Sequence, residues 1–169
     1  MGCSSPIKVG NDIYLIGLDS VKKISPAFGV EFMFNAVGEV SYAAIQRLKE
    51  NVHQIRKKSP GCCIIVVLHH HIPWQQLGDQ ELFGQYTAIN NARELWETLV
   101  DLKINVVASG HRHHSYYRNN IGPGKLTVLS SPSTTLGDSR DTGAGCFMWL
   151  MDINSDNKIK VSRHSVCTA

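Results

Sequence analysis

The stretch Val106–His114, with the sequence VVASGHRHH, decides the predicted fold of this chain. A short apolar run ends in Ser-Gly, and histidines follow at once. Ile64–His71, with the sequence IIVVLHHH, has the same design earlier in the chain. In both, the β-branched run predicts a buried strand whose histidines lie just past its C-terminal end. Because open α/β sheets bind ligands at that end of their strands, the two stretches predict one crevice lined by imidazoles.

The sequence around these strands predicts an alternation of strands and helices. A first helix is expected from an N-cap at Ser41 to Lys58, because its apolar residues recur at spacings of three and four. Those residues are Ile45, Leu48, Val52 and Ile55. The other predicted elements are strands over Asp12–Leu18, Cys62–Leu68 and Ile104–Ala108 and a helix over Ala92–Leu102, capped by Asn90 or Asn91. Three strands with two intervening helices indicate a parallel βαβαβ core.

The last third of the chain predicts antiparallel hairpins. Ser115–Arg118 and Leu126–Ser130 flank the sequence Asn-Asn-Ile-Gly-Pro-Gly, which has the residue types of a turn. Phe147–Ile153 and Lys158–His164 flank a second turn sequence, Asn-Ser-Asp-Asn. The predicted fold class is therefore α/β, a single domain over residues 1–169 with a parallel core followed by hairpins.

Composition excludes several classes of protein. Hydrophobic residues make up 43% of the chain and the net charge is +3, which is typical of an ordinary globular domain. Arg56-Lys57-Lys58 lies at a predicted helix C-terminus, where cations offset the helix dipole, so no nucleic-acid patch is predicted. No apolar run long enough for a membrane span occurs. Cys62 and Cys63 would point to opposite faces of a strand, and this arrangement predicts free thiols and a cytoplasmic protein.

The histidines indicate a metal site. Neutral imidazole is the commonest metal ligand, and the His-x-His spacing of His111 and His113 puts both rings on one side of an extended chain. His69 is the predicted third ligand, because it is the first residue past its apolar run; if Pro73 sets the register instead, the ligand is His70. The groups expected to orient these ligands or to contact phosphate are His70, His71, Arg112 and His114. The candidate metals are Zn, Mn, Fe and Ni, with no catalytic residue assigned.

These motifs resemble those of a known family. Val-Leu-His-His-His-x-Pro and Ala-Ser-Gly-His-Arg-His are similar to the last two motifs of the calcineurin-like metallophosphoesterases. The resemblance extends to Ile16–Ser20, and Ser131–Thr134 and the closing hairpins resemble its cyclic-nucleotide phosphodiesterase-like branch. It implies a four-layer α/β sandwich and hydrolysis of a phosphate ester by a metal-bound hydroxide. It also implies that His69 and His111 bind one metal and that His113 binds the other.

The chain departs from the family pattern in its first half. The motifs Asp-x-His, Gly-Asp-x-x-Asp and Gly-Asn-His-Asp/Glu are absent, so the chain looks like the C-terminal half of the domain. Three neutral imidazoles cancel none of the charge of two divalent ions. At an effective dielectric constant of about 20, the repulsion of such ions about 4 Å apart is about 16 kcal/mol. Fewer than two metals per chain are therefore expected.

Half a sandwich is also expected to leave a sheet face or edge uncovered, which favours a homodimer or a complementary N-terminal half as partner. Three functions remain open on the sequence alone. The chain could be a phosphoesterase completed by that partner, a non-catalytic module that binds metal or phosphate, or a dimeric interaction protein.

Overall fold

The computed structural model describes residues 2–21, 38–72, 89–110, 116–121, 125–131, 147–154, 156 and 158–165. These residues form two helices and eight strands in two sheets. The helices are α1 (Tyr42–Lys58) and α2 (Ala92–Asp101). The strands are β1 (Ile7–Lys8), β2 (Ile13–Leu18), β3 (Cys63–Leu68), β4 (Val106–Ser109), β5 (Tyr116–Ile121), β6 (Leu126–Ser130), β7 (Phe147–Ile153) and β8 (Ile159–Ser165).

The larger sheet has the strand order β1-β2-β3-β4-β6-β5. Its four central strands are parallel, and the edge strands β1 and β5 are antiparallel to their neighbours. The register pairs Leu18 with Leu68 and Val67 with Ala108, so β2, β3 and β4 end at the same edge. The predicted α/β class, with a parallel core followed by antiparallel hairpins, is confirmed.

Helix α1 covers one face of this sheet, as its apolar spacing predicts. Ser41 is its N-cap, and the Ser41 hydroxyl accepts a hydrogen bond from the Ala44 N–H over 3.2 Å. The predicted inner residues are all buried, namely Ile45, Leu48, Val52 and Ile55. The last turn holds Arg56, Lys57 and Lys58, where their charges oppose the negative end of the helix dipole.

Helix α2 covers the same face but begins differently from the prediction. Asn91 occupies its N-cap position and makes no side-chain hydrogen bond to the helix. The Asn91 side chain instead bonds to the backbone of Val40, in the segment that precedes α1. Leu95 and Leu99 form the buried stripe, and Leu102 is half-buried beside them.

The hairpin β7–β8 covers the opposite face of the sheet. Its alternate residues Trp149, Met151 and Val161 pack against the core residues Cys63, Ile65, Val106 and Leu129. The Trp149 indole also donates a hydrogen bond to the carbonyl oxygen of Ser130 over 2.9 Å. Of the two expected alternatives, an uncovered sheet face is wrong over most of the described sheet, because the hairpin folds back onto it, whereas an uncovered edge stays a prediction. Val67 on that face remains 43% exposed.

The N-terminal segment forms an edge strand that the sequence did not predict. β1 pairs with β2 through a turn in which Gly10 and Asp12 have positive φ angles of 70° and 55°. Nearer the start, the Ser4 N–H donates to the Gly17 carbonyl oxygen over 2.9 Å. Gly10-Asn11-Asp12 is thus a reversal of the chain before the first core strand. β1 was missed because two residues are too few to show an alternating pattern.

Within the described residues, Cys3, Cys62 and Cys63 are free and buried. This agrees with the prediction of free thiols for Cys62 and Cys63. Burial raises the pKa of all three thiols, that of Cys63 to about 11. Neither of the two described helices is long and apolar enough to cross a membrane.

Candidate functional site

The two histidine-bearing strands meet at the C-terminal edge of the sheet. The N–H of Gly110 donates a hydrogen bond to the carbonyl oxygen of His69 over 3.1 Å, so the pairing of β3 with β4 continues one step past both strands. On the other side of β4, the Ser131 N–H donates to the Ser109 carbonyl oxygen over 3.0 Å. His111 follows Gly110 directly in the sequence. Gly110, the residue before His111 in the sequence, therefore lies next to His69.

His69 presents its side chain to solvent at this edge. The residue is exposed, whereas its neighbours Leu68 and His70 are buried. The His69 ring meets the His70 ring edge-on, with centroids 4.9 Å apart and an angle of 85° between the planes. An exposed imidazole held at a strand end is a suitable ligand for a divalent metal.

His70 occupies a different environment, because its side chain is completely buried. The hydroxyl oxygen of Ser20, itself buried, lies 3.0 Å from Nδ1 of His70. The same oxygen accepts a hydrogen bond from the backbone N–H of His70 over 3.1 Å. Ser20 therefore holds both the main chain and the ring of His70 at the point where β3 ends.

Gly38 forms a wall against the His70 ring. A Cβ atom at position 38 would lie 2.6 Å from Cγ and 2.8 Å from Nδ1 of His70, closer than real Cβ contacts allow. The Gly38 backbone is itself fixed, since Gly38 bridges Val21 on one side and Ile89 on the other. The Asn90 N–H donates to the Gly38 carbonyl oxygen over 2.8 Å. Any side chain at position 38 would displace the His70 ring or the Gly38 main chain.

Part of the predicted site lies in the described residues. His69 is exposed, His70 is buried against Ser20 and Gly38, and His71 is buried. The other predicted site residues, His111, Arg112, His113 and His114, lie outside the described residues. Among the residues that the structure describes, no three His, Cys, Asp or Glu side chains are grouped closely enough to hold a metal ion.

Sequence reasoning missed Ser20 and Gly38. Ser20 lies in the stretch Ile16–Ser20, but nothing in the sequence shows that its hydroxyl contacts His70, which lies 50 residues later in the chain. The sequence does not show the role of Gly38 either, because a glycine is needed at this position only to make room for the His70 ring. Both roles depend on long-range contacts.

Comparison with known proteins supports the fold. No protein-family model and no curated protein matches this chain. Among solved structures, a dimetal phosphatase from Danio rerio gives a TM-score of 0.50 at 9% identity and covers 72% of this chain and 46% of that protein. A candidate 5'-nucleotidase from Staphylococcus aureus, solved in complex with alpha-ketoglutarate, gives 0.48 at 13% identity and covers 97% of this chain and 28% of that protein.

The chain thus spans less than half the length of either protein. The likeness to the phosphatase is one of fold, and it extends over 72% of this chain. Identity of 9% carries no residue-by-residue correspondence.

Proposed function

We propose that this chain carries a histidine metal site of the phosphoesterase type at the C-terminal ends of β3 and β4. The proposed ligands are His69, His111 and His113, and the proposed substrate class is phosphate esters. The observation that carries the proposal is the hydrogen bond from the Gly110 N–H to the His69 carbonyl oxygen, 3.1 Å long. This bond places His69, the residue after β3, next to Gly110, which follows β4 and begins the Gly-His-x-His sequence.

The surroundings of the two candidate ligands favour His69 over His70. The His69 side chain is exposed at the sheet edge, where a metal and a substrate have access. The His70 ring is buried, and its Nδ1 atom faces the Ser20 hydroxyl at 3.0 Å. We therefore assign His70 to support of the site. His71, Arg112 and His114 remain proposed as groups that orient the ligands or contact phosphate.

The donor set fits one divalent metal better than two. Three imidazoles and a water form a known catalytic zinc site, and such a metal supplies a hydroxide nucleophile and polarises the phosphoryl oxygen. Three neutral ligands leave the charge of a second metal uncompensated. Zn, Fe and Ni suit imidazole ligands, whereas Mn prefers the carboxylates that the sequence lacks at these motifs. We propose fewer than two metals per chain.

The finer assignments belong to the same proposal. The closing hairpins and Ser131–Thr134 support a place near the cyclic-nucleotide phosphodiesterase-like branch. The absent motifs Asp-x-His, Gly-Asp-x-x-Asp and Gly-Asn-His support a partner, either a second copy or a complementary N-terminal half, that supplies carboxylates. The free thiols Cys3, Cys62 and Cys63 support a cytoplasmic location.

The test measures metal content, binding and turnover on the same gel-filtered protein. Elemental analysis should find about one metal per chain, and His69→Ala and His111→Ala should each remove it. His53→Ala is the matched control, because His53 is exposed on α1 and should leave metal content unchanged. Hydrolysis of a chromogenic aryl phosphodiester is then measured with and without a separately produced N-terminal half of a metallophosphoesterase domain.

Hydrolysis that depends on His69 and on the added half would support a phosphoesterase completed by a partner. Metal bound by His69 and His111 without turnover in either condition would favour the second candidate, a non-catalytic module that binds metal or phosphate. A wild-type chain that binds no added Zn²⁺, Fe²⁺ or Ni²⁺ would overturn the proposed site.

A further inference from the structure

We propose that Ser20, Gly38 and His70 are positioning residues that hold the imidazole of His69 in the orientation needed to bind a metal. This inference rests on the proposed function, because it assigns a role to the groups behind the proposed ligand. We call these three residues the positioning cluster. They lie on three separate segments: Ser20 is two residues past the end of β2, Gly38 is three residues before the N-cap of α1, and His70 directly follows His69.

The first step is the double contact of Ser20 with His70. One hydroxyl oxygen lies 3.1 Å from the backbone nitrogen and 3.0 Å from Nδ1 of the same residue. A hydroxyl has one hydrogen and two lone pairs, so it can accept from the backbone N–H and still bond to the ring. Both the peptide of His70 and the rotation of its side chain are therefore restrained by a single atom.

The second step is the close approach of Gly38 to the ring. Because a Cβ at position 38 would come within 2.6 Å of Cγ of His70, only glycine leaves room for the ring beside this main chain. That main chain cannot move away easily, since the Glu39 N–H donates to the Ser20 carbonyl oxygen over 3.0 Å. Ser20 and Gly38 thus both lie against the His70 ring, and the hydrogen bond from Glu39 to Ser20 joins their two segments.

The third step is the contact by which the fixed His70 ring restrains the His69 ring. The His69 ring lies edge-on to the His70 ring at 4.9 Å, within the range of favourable aromatic contacts. The His69 backbone is fixed by the hydrogen bond from Gly110. An exposed side chain ordinarily populates several rotamers, and a fixed neighbouring ring reduces that freedom before the metal arrives. The restraint pre-organises His69, and pre-organisation raises the affinity for the metal.

The chemistry of the positioning cluster also argues against a purely structural role. Burying a hydroxyl and an imidazole requires that both be hydrogen-bonded, whereas an apolar pair of equal volume would fill the same space without that requirement. Leu18, Leu68 and Ile72 of the apolar core are buried nearby in the sequence, and His71 is buried as well. A buried hydroxyl–imidazole pair beside these side chains is accounted for if the geometry of the adjacent ligand depends on it.

The experiment compares Zn²⁺ affinity, measured by competition with a chromophoric chelator, in Ser20→Ala, Gly38→Ala and wild-type protein. Groups that orient a ligating histidine typically contribute 10–100-fold to metal affinity, so we expect Zn²⁺ to bind at least about tenfold more weakly in both variants. The visible spectrum of bound Co²⁺ is expected to change in both, because ligand geometry sets it.

Two controls separate positioning from stability. Ile55→Val removes one methyl group from the core at the far end of α1, and it should lower the melting temperature without changing Zn²⁺ affinity or the Co²⁺ spectrum. Ser20→Thr keeps the hydroxyl and should restore affinity relative to Ser20→Ala. If Ser20→Ala does not fold, Gly38→Ala and Ser20→Thr still provide the comparison.

The outcomes distinguish this inference from the proposed function. Wild-type affinity and an unchanged Co²⁺ spectrum in folded Ser20→Ala and Gly38→Ala would overturn the positioning role and leave the metal site intact. Equal losses of affinity in Ile55→Val would overturn it as well, since any destabilisation would then suffice. A wild-type protein that binds neither metal would overturn the proposed site and this inference with it.

Discussion

The side-chain amide of Asn91 makes two hydrogen bonds to the backbone of Val40. Its Oδ1 accepts from the Val40 N–H over 3.1 Å, and its Nδ2 donates to the Val40 carbonyl oxygen over 2.7 Å. The amide thus satisfies both polar groups of one peptide segment, as a neighbouring β-strand would. Because Val40 is completely buried, water cannot replace these bonds. Asn91 therefore joins the start of α2 to the segment that enters α1.

Replacing Asn91 by Ala should destabilise the protein by about 1–3 kcal/mol, because a buried donor and a buried acceptor lose their partners. Urea denaturation followed by circular dichroism measures the change. Asn90→Ala is the matched control, since Asn90 is exposed and its loss should change the free energy of unfolding by less than about 0.5 kcal/mol. Equal effects of the two substitutions would contradict this role for Asn91.

Lys103 offers a substitution that should stabilise the fold. Its φ angle is 51°, a left-handed conformation that glycine adopts at lower cost than a residue with a Cβ. The Lys103 carbonyl oxygen accepts a hydrogen bond from Arg56 Nη2 over 2.6 Å, and a glycine would keep this bond. Lys103→Gly should raise the free energy of unfolding by about 0.5–1 kcal/mol. Lys103→Ala should give no such gain, and a gain of equal size there would rule out the backbone explanation.

Cys63 predicts a loss of stability at alkaline pH. Burial, reinforced by Cys62, raises the pKa of the Cys63 thiol to about 11, against about 8.5 for an exposed thiol. At about pH 7.5, a full unit below the pKa of an exposed thiol, Cys63 is neutral in both states and its contribution is fully present. As the pH rises from about 9 to 11, the unfolded chain loses its proton first, and stability falls by about 1.4 kcal/mol per pH unit.

The measurement is urea denaturation of wild type and Cys63→Ala over this range of pH. Because the variant lacks the thiol, its stability should fall less steeply with pH, whatever its stability at neutral pH. Cys3 and Cys62 also have raised pKa values, so some slope should remain in the variant. Parallel curves for the two proteins would show that Cys63 does not titrate in this way.

Metal binding should appear as a gain in thermal stability. A ligand that binds only the folded state, present at about 100 times its dissociation constant, stabilises by about 2.7 kcal/mol. Differential scanning fluorimetry with added Zn²⁺ should therefore show a higher melting temperature for wild type and for His53→Ala, but not for His69→Ala. A shift that survives in His69→Ala would place the metal elsewhere.

The fold could be predicted to the extent that its signals are local. The spacing of Ile45, Leu48, Val52 and Ile55 gave the buried face of α1, and the β-branched run before His69 gave β3. β1 escaped detection because its pairing depends on the turn at Gly10 and Asp12. The bare sheet face was wrongly expected because no local pattern shows that β7 and β8 fold back onto the parallel strands.

The sequence predicted the sheet edge at which β3 and β4 end, but not the contacts that His70 makes there. Histidines placed past two apolar runs pointed to the edge where the Gly110–His69 hydrogen bond now lies. The sequence did not separate His69 from His70, because adjacent residues of one type differ only in what surrounds them. Ser20 and Gly38 supply that difference, and both reach His70 from distant parts of the chain.

The placement of β6 between β4 and β5 has a consequence for the order of folding. β5 and β6 are close in sequence and can form a hairpin within microseconds, whereas β2 and β3 pair only after the chain has closed a long loop around α1. The two strands whose pairing aligns His69 with Gly110, β3 and β4, are connected in the sequence through α2. During synthesis, a chain that has emerged only through β3 presents His69–His71 without the second strand. The sheet edge that carries the proposed site is thus completed only after the ribosome has released β4.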